Sequence, residues 1–183
     1  MRVRKQIGTP TIFNLLGPLT NPCSAGRQLL GVWDSMFVAP IAEALYSGGT
    51  TKSAVVHALD GLDEVSVSAP TRIMFVDQSG CTEKIINPEE FGLSTWNINE
   101  VQATTLDEAT EFIFNVLYLG RGGAVRDMII FSAGISLFLA GVSEDILGGV
   151  KMASKSIDSG AAGETLRAWV SISNTEAPST DCM

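Results

Sequence analysis

The stretch Val55-Val56-His57-Ala58-Leu59-Asp60-Gly61-Leu62-Asp63-Glu64 constrains the fold more than any other part of the chain. A β-branched pair runs into a glycine-bearing loop that carries three carboxylates within five residues. An α/β protein ends a buried strand in this way and presents acid at the strand's carboxyl edge, where ligands of open α/β sheets bind. Asp63 and Glu64 are adjacent hard oxygen donors, suited to a Mg²⁺ ion that also holds substrate phosphates. Asp and Gly are also ordinary turn residues, and spacing alone leaves a solvated turn the commoner outcome.

The residues from Gln28 to His57 read as a βαβ unit. Residues 28–33 form a buried strand, and Asp34 or Ser35 caps a helix. In that helix Phe37, Ile41, Ala44 and Leu45 make one apolar stripe. Pro40 falls in the first turn, where proline is tolerated, and Gly48-Gly49 supply a left-handed stop. Residues 52–57 are the second strand, so the pair should be parallel with a right-handed crossover. After the acidic loop, residues 64–67, 71–77 and 81–86 read as short antiparallel strands, the last two joined at Ser79-Gly80.

The last third is helical. Residues 87–93 make a turn and one helical turn, and residues 95–102 a loop. Thr105-Leu106-Asp107-Glu108 is a capping box. It opens a helix with Leu106, Ala109, Phe112, Ile113, Val116 and Leu117 on its apolar face, ended by Gly120, Gly122 and Gly123. Residues 124–140 are apolar nearly all round, the pattern of a helix buried on several sides. Ser143 caps the next helix, which buries Leu147, Val150, Ala153 and Ile157. Ser159 caps the last, with Leu166, Trp169 and Val170 inward. The whole is α/β, a mixed sheet with helices packed on its faces. Residues 1–174 form the α/β portion and residues 175–183 a polar tail.

Composition narrows the function. The 183 residues suffice for one domain with a real core. Hydrophobic residues make up 45% and charged residues 17%, yet no apolar run reaches the length of a membrane span. A formal net charge of −8 argues against a nucleic-acid partner, whose affinity rests on clustered Lys and Arg. Cys23, Cys81 and Cys182 are odd in number and scattered, which suggests neither a disulfide framework nor a zinc site and makes a reducing cytoplasm the default. The basic start, Met1 to Gln6, has no apolar stretch behind it and does not read as a signal peptide. His57, the sole histidine, precedes the acidic loop and reads as a structural hydrogen-bonding residue rather than a base.

Residues 11–22 are an apolar run ending in Gly17-Pro18 and Asn21-Pro22, two dipeptides that break regular structure. Such a rigid loop lines a pocket or simply connects two elements. Here the chain matches a known family. Ile12-Phe13-Asn14-Leu15-Leu16-Gly17-Pro18-Leu19-Thr20-Asn21-Pro22, Gln28-Leu29-Leu30-Gly31-Val32, Val55-Val56-His57 and Asp60-Gly61-Leu62-Asp63-Glu64 closely resemble the anthranilate phosphoribosyltransferases. So do Arg126-Asp127 and Ile157-Asp158-Ser159-Gly160-Ala161-Ala162. The resemblance runs in order and spacing over almost the whole chain, and corresponds to the C-terminal portion of the family's length.

This resemblance implies a nucleoside phosphorylase/phosphoribosyltransferase-like catalytic domain. The implied reaction transfers phosphoribosyl from phosphoribosyl pyrophosphate to anthranilate and releases pyrophosphate, a step of tryptophan biosynthesis. The implied roles are metal binding for Asp63 and Glu64, with Mg²⁺ as cofactor, and anthranilate binding for Arg4, Gly17 and Pro18. No catalytic residue is implied, and Asp60 inherits no role. The family's Gly-Thr-Gly-Gly-Asp pyrophosphate loop and Lys-His-Gly-Asn segment lie upstream of the matched region and are not in this sequence. The expectation is a chain inactive alone, partnered as a homodimer or with a complementing N-terminal half, and exposing a sheet edge and apolar helix faces. The alternative is a decayed or repurposed non-catalytic domain of the same fold. Ala58 stands where the family usually has glycine, which would strain a backbone needing positive φ. Ser132 stands where asparagine is frequent.

Overall fold

The computed structural model describes residues 16, 17, 19, 20 and 25–174. Its centre is a four-stranded sheet in the order β1 (Leu29–Gly31), β2 (Lys52–Ala58), β3 (Thr71–Asp77), β4 (Gly80–Ile86). β1 and β2 are parallel, and the other two pairings are antiparallel. The α/β class, the parallel pair and the β3–β4 hairpin all match the sequence reading. Helix α1 (Val38–Ser47) connects β1 to β2 and covers one face of the sheet. There Val38, Ile41, Ala42 and Leu45 pack with Val55, Met74 and Val76. The opposite face is covered by α3 (Ala124–Ala140) and α4 (Ile146–Asp158), where Phe131, Ile135, Leu139 and Val150 pack with Ala54, Val56 and Ile73. Helices α2 (Leu106–Leu117) and α5 (Ala161–Ser173) complete the order.

Strand β2 alternates Ala54 and Val56 toward one core with Val55 toward the other, and every residue from 53 to 58 is buried. A strand covered on both faces has this profile. The two edges differ. Residues 81–85 of β4 are exposed and include Glu83 and Lys84, whereas β1 offers only Leu29, Leu30 and Gly31.

Helices α3 and α4 cross at a glycine pair. A Cβ on Gly134 would lie 2.7 Å from the Val150 nitrogen, and one on Gly149 would lie 2.2 Å from the Gly134 carbonyl oxygen. Arg126 ties the crossing by donating to Asp158 at 2.7 Å and to Ser154 at 2.9 Å. The carboxyl end of α3 receives two cations. Arg27 donates to the Leu139 carbonyl, and the Lys52 ammonium donates to the Phe138 carbonyl at 3.1 Å. Positive charge there satisfies terminal carbonyls and opposes the helix dipole.

Several expected details differ. Residues 64–67 do not form a strand. Val65 and Val67 are buried, but Ser66 N–H donates to Thr71 Oγ1 at 3.0 Å and Ser68 N–H donates to Ser66 Oγ at 2.9 Å, so side chains replace a neighbouring strand. β1 is shorter than residues 28–33, because the Asp34 carboxylate accepts from Met36 N–H at 2.9 Å and turns the chain into a 3₁₀ turn, Ser35–Phe37. Helix α4 is capped by Asp145, whose carboxylate accepts from Gly148 N–H at 2.6 Å, and the Ser143 hydroxyl instead donates to the Asp145 carbonyl. Ser159 closes α4, and Gly160, at φ 80°, begins α5. Trp169 is 69% exposed and Val170 is also exposed, because α5 buries only Gly163, against the Leu117 carbonyl.

The Thr105–Glu108 capping box is present, with both partners engaged. Of the expected apolar face of α2, however, only Val116 is buried, and Leu106 is 82% exposed. An apolar groove of about 610 Å³ runs along α3 and α4, lined by Ile129, Ala133, Leu137 and Met152. No helix among the described residues is long and apolar enough to cross a membrane.

The glycine crossing yields a test. Gly134→Ala should destabilise the fold by about 2–3 kcal/mol, a Tm drop of roughly 4–12 °C in thermal unfolding. Gly122→Ala, with nothing within 4 Å of the added Cβ, should change stability by less than about 0.5 kcal/mol.

Candidate functional site

The acidic loop leaves the sheet at the carboxyl end of β2 and re-enters at β3. Its two ends are fastened together: Leu59 N–H donates to the Pro70 carbonyl at 2.9 Å, and Ala58 N–H to the Leu62 carbonyl at 2.9 Å. Gly61 adopts φ 96°, a left-handed conformation that glycine accommodates at the loop's bend. Ala58 is the last extended residue of β2, paired with Thr71 and fully buried, so its side chain does not force a left-handed backbone. The strain expected from the Ala58 departure is therefore absent, because the bend falls three residues later.

Asp60 organises this loop. One carboxylate oxygen accepts from the Ser66 hydroxyl at 2.6 Å and from the Ser68 hydroxyl, and the other accepts from Leu62 N–H at 3.3 Å. Partial burial pushes the Asp60 carboxyl up, but these hydrogen bonds outweigh it and hold the group below its usual range. The anionic form is thus committed inside the loop, while Val65 and Val67 anchor the following residues in the core.

Asp63 and Glu64 remain exposed. Partial burial and the adjacent Asp63 charge raise the Glu64 carboxyl above its ordinary range. Adjacent carboxylates of this kind are the chemistry that suits a divalent cation. Among the described residues no group of three or more His, Cys, Asp or Glu could hold a metal ion. Asp63 and Glu64 could offer oxygen ligands to a hard cation whose other ligands are phosphate and water.

The backbone of Asp63 is set by β1. A Cβ on Gly31 would lie 1.6 Å from the Asp63 carbonyl oxygen, so only glycine allows this approach. His57 reinforces the same end of the sheet by donating from Nδ1 to the Val32 carbonyl at 2.8 Å, and Val32 N–H donates to the Val56 carbonyl at 3.0 Å. The ring is buried between two strand ends, which is the structural role read for it. Gly31 and Asp60 are the two positioning residues that pattern reading leaves without a role. The only sequence signal for Asp60 is the run of hydroxyls at Ser66 and Ser68.

Of the residues expected to bind anthranilate, Gly17 lies exposed in a short helical turn, where Thr20 N–H donates to the Leu16 carbonyl at 2.9 Å. Leu19, from the same turn, packs against the α1 side of the sheet. Arg4 and Pro18 lie outside the described residues. The Arg126-Asp127 motif has a structural explanation: Arg126 bridges α3 to α4, and Asp127 accepts from the Trp96 indole N–H at 2.8 Å.

Comparison with known proteins places this arrangement. The family described as "Glycosyl transferase family, a/b domain" matches residues 1–163. Anthranilate phosphoribosyltransferase from Thermoanaerobacter sp. (strain X514) is 38% identical over 164 residues, covering 90% of this chain and 48% of its own length. That of Rubrobacter xylanophilus is 40% identical, covering 93% of this chain and 50% of its own length. Among solved structures, the Thermus thermophilus anthranilate phosphoribosyltransferase superposes with a TM-score of 0.84 at 32% identity, covering 93% of this chain and 50% of its own. The Saccharomyces cerevisiae enzyme "in complex with PRPP and Mg" gives a TM-score of 0.79 at 26% identity, covering 91% of this chain and 48% of its own. The chain thus spans about half the length of the relatives it matches. It belongs to the glycosyl transferase family of this α/β domain, in the company of the anthranilate phosphoribosyltransferases.

Proposed function

We propose that the chain is the C-terminal portion of an anthranilate phosphoribosyltransferase and contributes the metal-binding loop to phosphoribosyl transfer. The observation that carries this reading is the fixed acidic loop: Asp60 bonded inward, Gly31 admitting the Asp63 backbone, and Asp63 and Glu64 left free at the sheet's carboxyl edge. The yeast relative's complex with PRPP and Mg supports it.

In this reading Asp63 and Glu64 hold Mg²⁺, which when bound would offset the charge developing on pyrophosphate as the ribose C1–O bond breaks. Glu64 is the tuned partner of the pair. Its raised proton affinity falls once a cation shares its oxygens, so binding stabilises the ionised form that the protein alone disfavours. Gly17 and Pro18 line the anthranilate site, where a small, rigid backbone permits close approach to a flat ring. Arg4 meets the anthranilate carboxylate with its planar guanidinium fork. Phosphates in such enzymes are cradled by backbone N–H groups of a glycine-rich loop. No such loop occurs in this sequence, where Gly120, Gly122 and Gly123 connect two helices.

This chain alone should therefore consume no anthranilate above background in a fluorescence assay with phosphoribosyl pyrophosphate and Mg²⁺. Turnover should follow addition of the N-terminal half of a homologue, and Asp63→Asn in the mixture should reduce it by about 100-fold. Silence in the mixture, with the two pieces shown to associate, would favour a non-catalytic domain. The apolar groove of α3 and α4 and exposed Leu106, Phe114 and Trp169 lead to a second expectation, that the isolated chain self-associates. A monodisperse monomer by light scattering would refute it.

Glu64 also has a pH signature. Because its folded-state affinity for a proton is raised, the fold is unpenalised below the ordinary carboxylate range and loses stability as pH rises and Glu64 ionises beside Asp63. Without metal, Glu64→Gln should raise Tm at pH 7–8 by about 1–2 °C, and the gain should vanish near pH 3–4.

A further inference from the structure

The acidic loop carries three carboxylates within five residues, and one of them stands apart in its bonding. Among the described residues, the hydrogen bonds to Asp60 all come from its own loop. Oδ2 accepts from the Ser66 hydroxyl at 2.6 Å and from the Ser68 hydroxyl, and Oδ1 accepts from Leu62 N–H at 3.3 Å. These donors bracket the other two acids. Leu62 immediately precedes Asp63, and Ser66 follows Glu64 by two residues. Only Asp63, Glu64 and Val65 lie between the two tethers, and Val65 is fully buried.

The tether at Ser66 is itself anchored. Ser66 is 1% exposed, and its N–H donates at 3.0 Å to Oγ1 of Thr71, the buried first residue of β3. Ser68 N–H donates to Ser66 Oγ at 2.9 Å, which leaves the Ser66 hydroxyl proton for Asp60. Polar contacts thus run from the start of β3 through Ser66 to Asp60, and on to the backbone that enters Asp63. Asp63 is also held from the side of β1, where a Cβ on Gly31 would lie 1.6 Å from its carbonyl oxygen. Asp63 and Glu64 are therefore exposed on a short segment fixed at both ends and against β1. Groups that orient ligands in this way govern cation affinity without touching the ion.

We propose that Ser66 and Ser68, acting through Asp60, are positioning residues that set the cation affinity of Asp63 and Glu64, and that Asp60 is withheld from the ion rather than serving as a third carboxylate ligand. The role rests on the assignment of Asp63 and Glu64 as the cation pair. Asp60 already accepts three hydrogen bonds, which occupy most of the roughly four lone-pair sites of a carboxylate. The two hydroxyls thereby decide how many acids the loop presents. Two carboxylates leave coordination positions open to phosphate and water, and a third would begin to close them.

The test is Mn²⁺ binding to the whole chain, read from the paramagnetic signal of the free ion, with thermal unfolding confirming that each variant is folded. Ser66→Ala combined with Ser68→Ala removes no charge and should weaken Mn²⁺ about tenfold. Ser68→Ala alone, which leaves the buried Ser66 in place, should weaken it by a smaller factor, and Ser68→Thr, which keeps the hydroxyl, should hold the wild-type affinity. Asp60→Asn should also weaken binding, yet cost much less when added to the double alanine variant than it does alone, because both changes break the same contacts. Full additivity would show Asp60 acting on the ion directly, as ligand or as charge, and would overturn the proposal. Unchanged affinity in the double alanine variant would overturn it too. Asp63→Asn tells the two assignments apart. Mn²⁺ binding that survives Asp63→Asn would remove the cation pair itself, whereas binding lost in Asp63→Asn and intact in the alanine variants would remove only the positioning role. No binding by the wild-type chain at about 10 mM Mn²⁺ would overturn both.

Discussion

Residues 53–58 of β2 are covered by α1 on one side and by α3 and α4 on the other, so the strand meets solvent only at its ends. Everything with chemical potential in this chain is placed by that constraint. The carboxyl end releases the chain into the acidic loop. The amino end begins with Lys52, whose stem lies against Phe138 while its ammonium reaches the end of α3. A long cationic side chain at a strand end can be partly buried while its head finds carbonyls and solvent.

The acidic loop is held by division of labour among its carboxylates. Asp60 gives its charge to Ser66, Ser68 and the backbone, and thereby fixes the loop from inside. Asp63 and Glu64 keep theirs outward, and burial and the Asp63 charge disfavour Glu64 as an anion. The loop's position depends equally on an absence, since any side chain at Gly31 would occupy the space of the Asp63 carbonyl. A loop of this kind concentrates like charge that the fold must support from elsewhere. Here the support is hydroxyl donors and buried Val65 and Val67.

The βαβ unit, the β3–β4 hairpin, the capping box at Thr105 and the apolar helix α3 were all legible in residue order, because each is a local pattern whose period or cap is written in neighbours. Asp63 and Glu64 were legible as a candidate pair for the same reason. What escaped depends on which of several available partners the folded chain selects. Val65 and Val67 alternate like a strand, yet the N–H groups of Ser66 and Ser68 beside them donate to the hydroxyls of Thr71 and Ser66, and the Val67 carbonyl accepts from Trp96 N–H. Ser143 and Asp145 are both good caps, and only the approach of Gly148 decides between them. Trp169 looks inward by helical period, but α5 touches its neighbours through Gly163. The role of Gly31 is long-range in sequence, set by the Asp63 backbone, whereas Asp60 bonds only residues of its own loop.

The two edges of the sheet carry different instructions for growth. β4 is lined with Glu83 and Lys84, and charges on an edge strand discourage pairing with further strands. β1 carries no charge: Leu29, Leu30 and Gly31, already set parallel to β2. A further strand therefore finds its open seat beside β1, on the flank where Gly31 lies against Asp63. Sheet extension is thus polar, blocked on the hairpin side and permitted on the side nearest the acidic loop. A polypeptide joining there would arrive next to the two carboxylates as a consequence of strand pairing alone, with no separate device needed to aim it.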